Sequence, residues 1–158
     1  MPDVVSNTGP LIALASIGQF SILKELFGTL HIPPAVFTEV QDETSQIAVA
    51  SAAWLVVHDV TSTLAVQILR EDLDAGESEA IVLATELKAG LLLQDERAAT
   101  NKARSLGLTT FGTLGVLLKA KERGLLEIIR PAVDELRRTG FHMSNSLYEK
   151  VLFSADEG

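Results

Sequence analysis

The sequence predicts an α/β protein: a three-layer α/β/α sandwich around a central, mainly parallel sheet. Short apolar runs of strand character alternate with longer segments of helical period along most of the 158 residues. Strands that alternate with helices imply parallel pairs joined by right-handed crossovers. Leu91-Leu92-Leu93 is apolar without alternation, which fits a strand covered on both faces.

Val4 to Ser6 reads as the first strand. Leu11 to Phe27 carries apolar residues at helical spacing interrupted near Ile17-Gly18, which predicts two short helices. Leu30-His31-Ile32 is a brief strand. Pro33-Pro34 opens a helix over Ala35 to Val40, because proline is tolerated in a first helical turn. A polar stretch, Gln41 to Ser45, leads into an alanine-rich helix, and Trp54 to Val57 has the aromatic and β-branched content of a strand. A helix follows from about Leu64 to Leu69. Gly76 to Lys88 is a helix closed by Gly90, Leu91 to Gln94 a buried strand, and Asp95 to Leu106 a helix closed by Gly107. Leu108 to Phe111 is the next strand and Gly112 to Arg123 the next helix. Arg130 to Leu152 reads as two more helices separated near Gly140.

The hydrophobic share is 47% and no Pro, Gly or Ser linker divides the chain, so the prediction is one domain over residues 1–158, with 130–153 as a C-terminal helical extension. There is no cysteine for a disulfide or thiolate site, and His31, His58 and His142 lack zinc-ligand spacing. No apolar run reaches the roughly 18 to 20 residues that span a bilayer, and no signal-peptide pattern opens the chain. The expected location is cytoplasmic, with no membrane association. A net charge of −8 argues against a broad basic face for duplex DNA, yet is compatible with carboxylates gathered in one cleft.

In open α/β sheets, ligands gather beyond the carboxyl ends of the strands. Asn7 and Thr8 follow the first strand, Asp95 follows LLLQ, and Gly112-Thr113 follows TTF. Asp95 has a simpler use as the cap of the helix it precedes. Glu39 falls near the C-terminal end of its helix, where the dipole disfavours an acid. Asp74 and Glu77 have capping-box spacing, which leaves Glu79 without a cap role; if Gly76 is the cap, Glu79 takes that role instead. Carboxylates on three separate elements suit a hard cation such as Mg²⁺ or Mn²⁺, which prefers oxygen ligands. The chain lacks GxxxxGK[ST], GxGxxG after a strand, GxSxG and HExxH. It also lacks the acidic pair after the first strand that a phosphoacceptor domain needs.

The segments VVSNTGPLIAL, IPPAVFTEV, LDAGESEAIVLA, LLLQDERAA and TFGTLGVLLKAKERGLL occur in the order and spacing of PIN domains. The chain most resembles the VapC-related branch catalogued as a domain of unknown function, and RPAVDELRRTGFHMSNSLYEKVL extends the likeness to the tail. The resemblance implies a metal-dependent endoribonuclease of toxin-antitoxin type. It maps the family's acidic constellation onto Asn7, Glu39, Glu79 and Asp95, which would hold Mg²⁺ or Mn²⁺. Thr8 and Thr113 become supporting hydroxyls, and Arg97 and Lys102 become residues that orient Asp95 or contact phosphate. It also implies an RNA substrate, a small antitoxin partner and a homodimer. The chain departs from the pattern at Asn7, where PIN nucleases usually have aspartate. An amide oxygen can ligate Mg²⁺ but brings no charge. Asp3 does not substitute, because four extended residues span about 13 Å at roughly 3.3 Å each. The competing expectation is therefore a catalytically weakened PIN-fold module that binds RNA or protein.

Overall fold

The computed structural model describes residues 2–158. Five parallel strands form one sheet in the order β3-β2-β1-β4-β5: β1 Val4–Ser6, β2 Leu30–Ile32, β3 Leu55–Val57, β4 Leu91–Leu93 and β5 Thr110–Phe111. The predicted α/β/α architecture is therefore the observed one. The chain runs outward from β1 through β2 to β3, then crosses back to lay β4 on the other side of β1. A topological switch point thus lies between β1 and β4, the position at which open α/β sheets form a crevice. Val5 pairs with Leu92 and Ser6 with Leu93, which carries Asn7 and Gln94 to the same edge.

Helices cross between the strands: α1 Thr8–Ser16, α2 Ser21–Phe27, α3 Pro34–Glu39, α4 Glu43–Ser51, α5 Thr63–Leu69, α6 Ala75–Glu86, α7 Arg97–Ser105 and α8 Thr113–Glu122. The tail forms α9, Arg130–Arg138, and α10, Asn145–Ser154. Proline at the first turn starts α3 as expected, and Gly107, at φ +86°, closes α7. The expected end of α6 at Gly90 is incorrect. Lys88 takes the left-handed conformation at φ 52°, and Ala89 N–H returns to the Ala84 carbonyl, so the chain turns two residues earlier. Gly90 is small for another reason: a Cβ there would lie 2.5 Å from Pro2 Cβ.

One apolar cluster runs from Val4 to Ala155. It includes the fully buried Leu11, Leu14, Leu83, Leu92, Leu93 and Leu117, each contributing about 1.5–3 kcal/mol. Val133, Leu136 and Leu152 join the same cluster, so α9 and α10 pack on the core that also supports the sheet. No helix among the described residues is long and apolar enough to cross a membrane.

Candidate functional site at the switch point

Asn7 occupies the N-cap position of α1, yet its side chain makes no cap hydrogen bond. Nδ2 instead donates to Gln94 Oε1 across the strand ends at 3.1 Å. Asn7 is 6% exposed, and its Oδ1 has no hydrogen-bond partner; the neighbouring Thr8 Oγ1 is also buried and unpartnered. An asparagine at this position would ordinarily cap the helix, but here its side chain is taken by a contact between residues 87 positions apart.

Asp95 does not cap the helix it precedes. Glu96 stands at the N-cap of α7, while Asp95 turns to the start of α8. Thr113 donates its N–H to Asp95 Oδ1 at 2.7 Å and its hydroxyl to Oδ2 at 2.7 Å. Burial pushes the Asp95 carboxyl up; the Thr113 bonds pull it down and the Glu96 charge pushes it up again, leaving it raised. Two glycines leave it room. A Cβ at Gly112 would lie 2.7 Å from Oδ1, and one at Gly9 would lie 3.4 Å from Oδ2. Thr113 is thus the residue that orients Asp95. Arg97 and Lys102, expected to orient Asp95 or contact phosphate, are exposed on α7 and place no side-chain hydrogen bond or ion pair on Asp95 among the described residues.

Glu39 reaches from the end of α3 to the start of α6, where its carboxylate occupies the space that a Cβ at Gly76 would need. Its carboxyl is raised, first by burial, then by Asp74 and Glu77, against weaker lowering by the Gly76 amide and Arg70. Glu39 Oε2 is buried without a hydrogen-bond partner. Glu79 lies half-buried one turn further along α6, and its Oε1 accepts the Ala35 N–H at 3.0 Å. That bond satisfies an orphan donor in the first turn of α3. The acid left without a cap on its own helix therefore caps a neighbouring one.

Among the described residues, no three His, Cys, Asp or Glu side chains converge as a metal-ligand set, so Glu39, Glu79 and Asp95 do not meet at one point. The α6 acid whose charge acts on Glu39 is Glu77. It raises Glu39, and Glu96 in turn acts on it. Sequence spacing assigned Glu77 to a capping box, and it does form one with Asp74; the residue serves both purposes. Gln94 was also missed, because nothing local distinguishes it from the end of a strand. A groove of about 730 Å³ opens beside Asp95 and is walled partly by Phe141, His142 and Leu147, so the segment joining α9 to α10 borders the candidate site.

The PIN domain model DUF3368 matches residues 3–157. The chain belongs to this PIN-domain family. PIN domains are a nuclease-type family and are generally dependent on divalent metal. Among solved structures, a PilT N-terminus domain protein from the hyperthermophilic archaeon Sulfolobus solfataricus P2 is 18% identical; the match covers 74% of this chain and 92% of that one, with a TM-score of 0.45. No curated protein matches the chain.

The donor chemistry of this PIN domain fits a hard cation. The candidate residues offer oxygen ligands, with buried, unpartnered Asn7 Oδ1 and Glu39 Oε2 and with raised carboxyls at Glu39 and Asp95. Convergence of three acids is not required, because Mg²⁺ is often held by one or two carboxylates, waters and substrate phosphate.

Proposed function

We propose that this PIN domain is a VapC-like, metal-dependent endoribonuclease that hydrolyses RNA phosphodiesters. The observation that carries the reading is that Asn7 and Asp95 follow the paired strands β1 and β4 at the switch point, one with a buried amide oxygen left without a partner and the other with a carboxylate fixed by Thr113. Asp95 and Asn7 would hold Mg²⁺ or Mn²⁺, with Glu39 across the crevice. Glu79 remains a candidate from the family pattern: its Oε1 accepts the Ala35 N–H, which leaves Oε2 as an oxygen donor. A divalent ion supplies a water of lowered pKa and offsets the negative charge of a phosphodiester under attack.

The chain's own contribution is orientation. Thr113 holds both Asp95 oxygens, while Gly9 and Gly112 keep side chains away from the carboxylate. Thr8 offers a further unpartnered hydroxyl, and Arg97 and Lys102 lie exposed on α7 for phosphate contacts. A small antitoxin, a homodimer and a cytoplasmic location belong to the same proposal.

The direct test is RNA cleavage in Mg²⁺ or Mn²⁺, with EDTA and Asp95→Ala each expected to abolish it. Continued cleavage by a nuclease-free Asp95→Ala preparation would refute the assignment. Asn7 favours a second reading, a catalytically weakened module that still binds RNA or protein. Tight RNA binding without cleavage in either metal would select it.

A further inference from the structure

Position 7 is paired with a second amide. Gln94 Oε1 accepts Asn7 Nδ2 and also the Glu96 backbone N–H, each at 3.1 Å. Both side chains are buried, with Gln94 2% exposed. A backbone N–H can only donate, so Glu96 fixes the oxygen of Gln94 on its side. That oxygen then needs a donor at position 7. A carboxylate there would set lone pairs against lone pairs. Rotating the Gln94 amide would satisfy the carboxylate but turn the NH₂ group against the Glu96 N–H. One contact fails in either orientation.

The pairing leaves two complementary atoms free: Asn7 Oδ1, an acceptor, and Gln94 Nε2, a donor, both buried without partners. Leaving such atoms unmet is costly, and native structures contain few of them. An oxygen-seeking cation meets the first, and an oxygen of a bound phosphodiester suits the second.

We propose that Gln94 is a positioning residue that specifies an amide at position 7, holding Asn7 through Nδ2 and leaving Oδ1 as a neutral ligand for a hard divalent cation beside Asp95. The inference rests on the metal-dependent reading above and adds to it the reason for the missing charge. Asn7 is matched to its neighbour. A carboxylate at position 7 by itself creates a mismatch with Gln94.

A double-mutant cycle tests this with Asn7→Asp and Gln94→Met, the latter removing the acceptor at nearly unchanged length. Mn²⁺ affinity is read by calorimetry, and thermal unfolding is followed without metal. With Asn7 in place, Gln94→Met is expected to weaken Mn²⁺ binding by roughly tenfold through loss of its support. In the Asn7→Asp background the same change is expected to strengthen binding by roughly tenfold, and the unfolding midpoint should show the same reversal of sign. An effect of equal sign in both backgrounds overturns the proposal. If no variant binds Mn²⁺ while the unfolding midpoints reverse, the amide pairing stands and the metal-dependent reading fails. Cleavage and Mn²⁺ binding that are indifferent to Gln94 would remove Gln94 and leave the nuclease reading intact.

Discussion

Thr113 holds both oxygens of Asp95, its backbone N–H on Oδ1 and its hydroxyl on Oδ2, across 18 positions of sequence. The residue that opens α8 therefore sets the orientation of the acid that follows β4. Thr113→Val keeps the shape and the backbone bond while deleting the hydroxyl. Cleavage is expected to fall by roughly ten- to hundredfold, as for loss of a supporting contact to a ligand. The lost bond is one that lowers the Asp95 carboxyl, so the acid limb of the pH–rate profile should move to higher pH. An unchanged limb would show that the hydroxyl does not tune Asp95.

Gly76 and Glu39 share one space. A methyl group at position 76 displaces the end of a flexible side chain rather than backbone, so Gly76→Ala should leave folding nearly unaffected. Removing a glycine from a helix even favours stability, by about 0.4–1 kcal/mol where the conformation is compatible. Mn²⁺ affinity is expected to fall nonetheless, because Glu39 must move. Calorimetry beside a melting curve separates the two effects, and unchanged affinity would place Glu39 outside the cation site.

Ionised Glu39 is held among buried surroundings and the charges of Asp74 and Glu77, which raise its carboxyl. A raised acid costs stability above its folded-state pKa. That cost fades as pH falls through the raised value towards the unfolded value near 4.3. Glu39→Gln should therefore stabilise the metal-free protein at neutral pH, by less than about 1 kcal/mol because solvent screens a part-exposed carboxylate, and the gain should vanish in acid. Urea unfolding at the two pH values measures it, and a loss of stability at neutral pH would contradict it.

Glu157 behaves in the opposite sense. Burial alone would raise its carboxyl, but the Ile129 N–H, the Lys121 ammonium and the Arg130 N–H hold it below the ordinary value. A lowered acid stabilises above its unfolded pKa, and the contribution is lost as pH falls through the folded value. Glu157→Gln should cost about 1–2 kcal/mol at neutral pH and progressively less in acid. A pH-independent cost, followed by denaturant unfolding, would rule out the charge as its source.

Glu79 is expected to show a structural cost as well as any effect on cleavage. Glu79→Ala removes the acceptor of the Ala35 N–H and should destabilise by about 0.5–2 kcal/mol, the range for a lost helix cap. Full stability in this variant, read by calorimetric melting, would show that the bond to Ala35 contributes nothing.

The strand–helix order, the break between α1 and α2, the proline start of α3 and the glycine end of α7 were all legible from the sequence. Each depends on local periodicity or on the backbone preferences of proline and glycine. The end of α6 was not legible, because Lys88 adopts a conformation that its residue type disfavours and that surrounding structure sustains. The candidate site divides along the same line. Asn7, Glu39 and Asp95 were visible as polar residues at element ends, whereas the pairings that hold them were not: Gln94 with Asn7, Gly76 and Glu77 with Glu39, and Thr113 with Asp95. Thr113 was named as a supporting hydroxyl, but the carboxylate it supports became clear only in the fold. The sequence by itself determined that an amide stands at position 7. Only the tertiary structure decided what that amide does. Strand pairing between β1 and β4 brings Gln94 beside it, and a backbone N–H that can only donate fixes which atoms of the two amides meet.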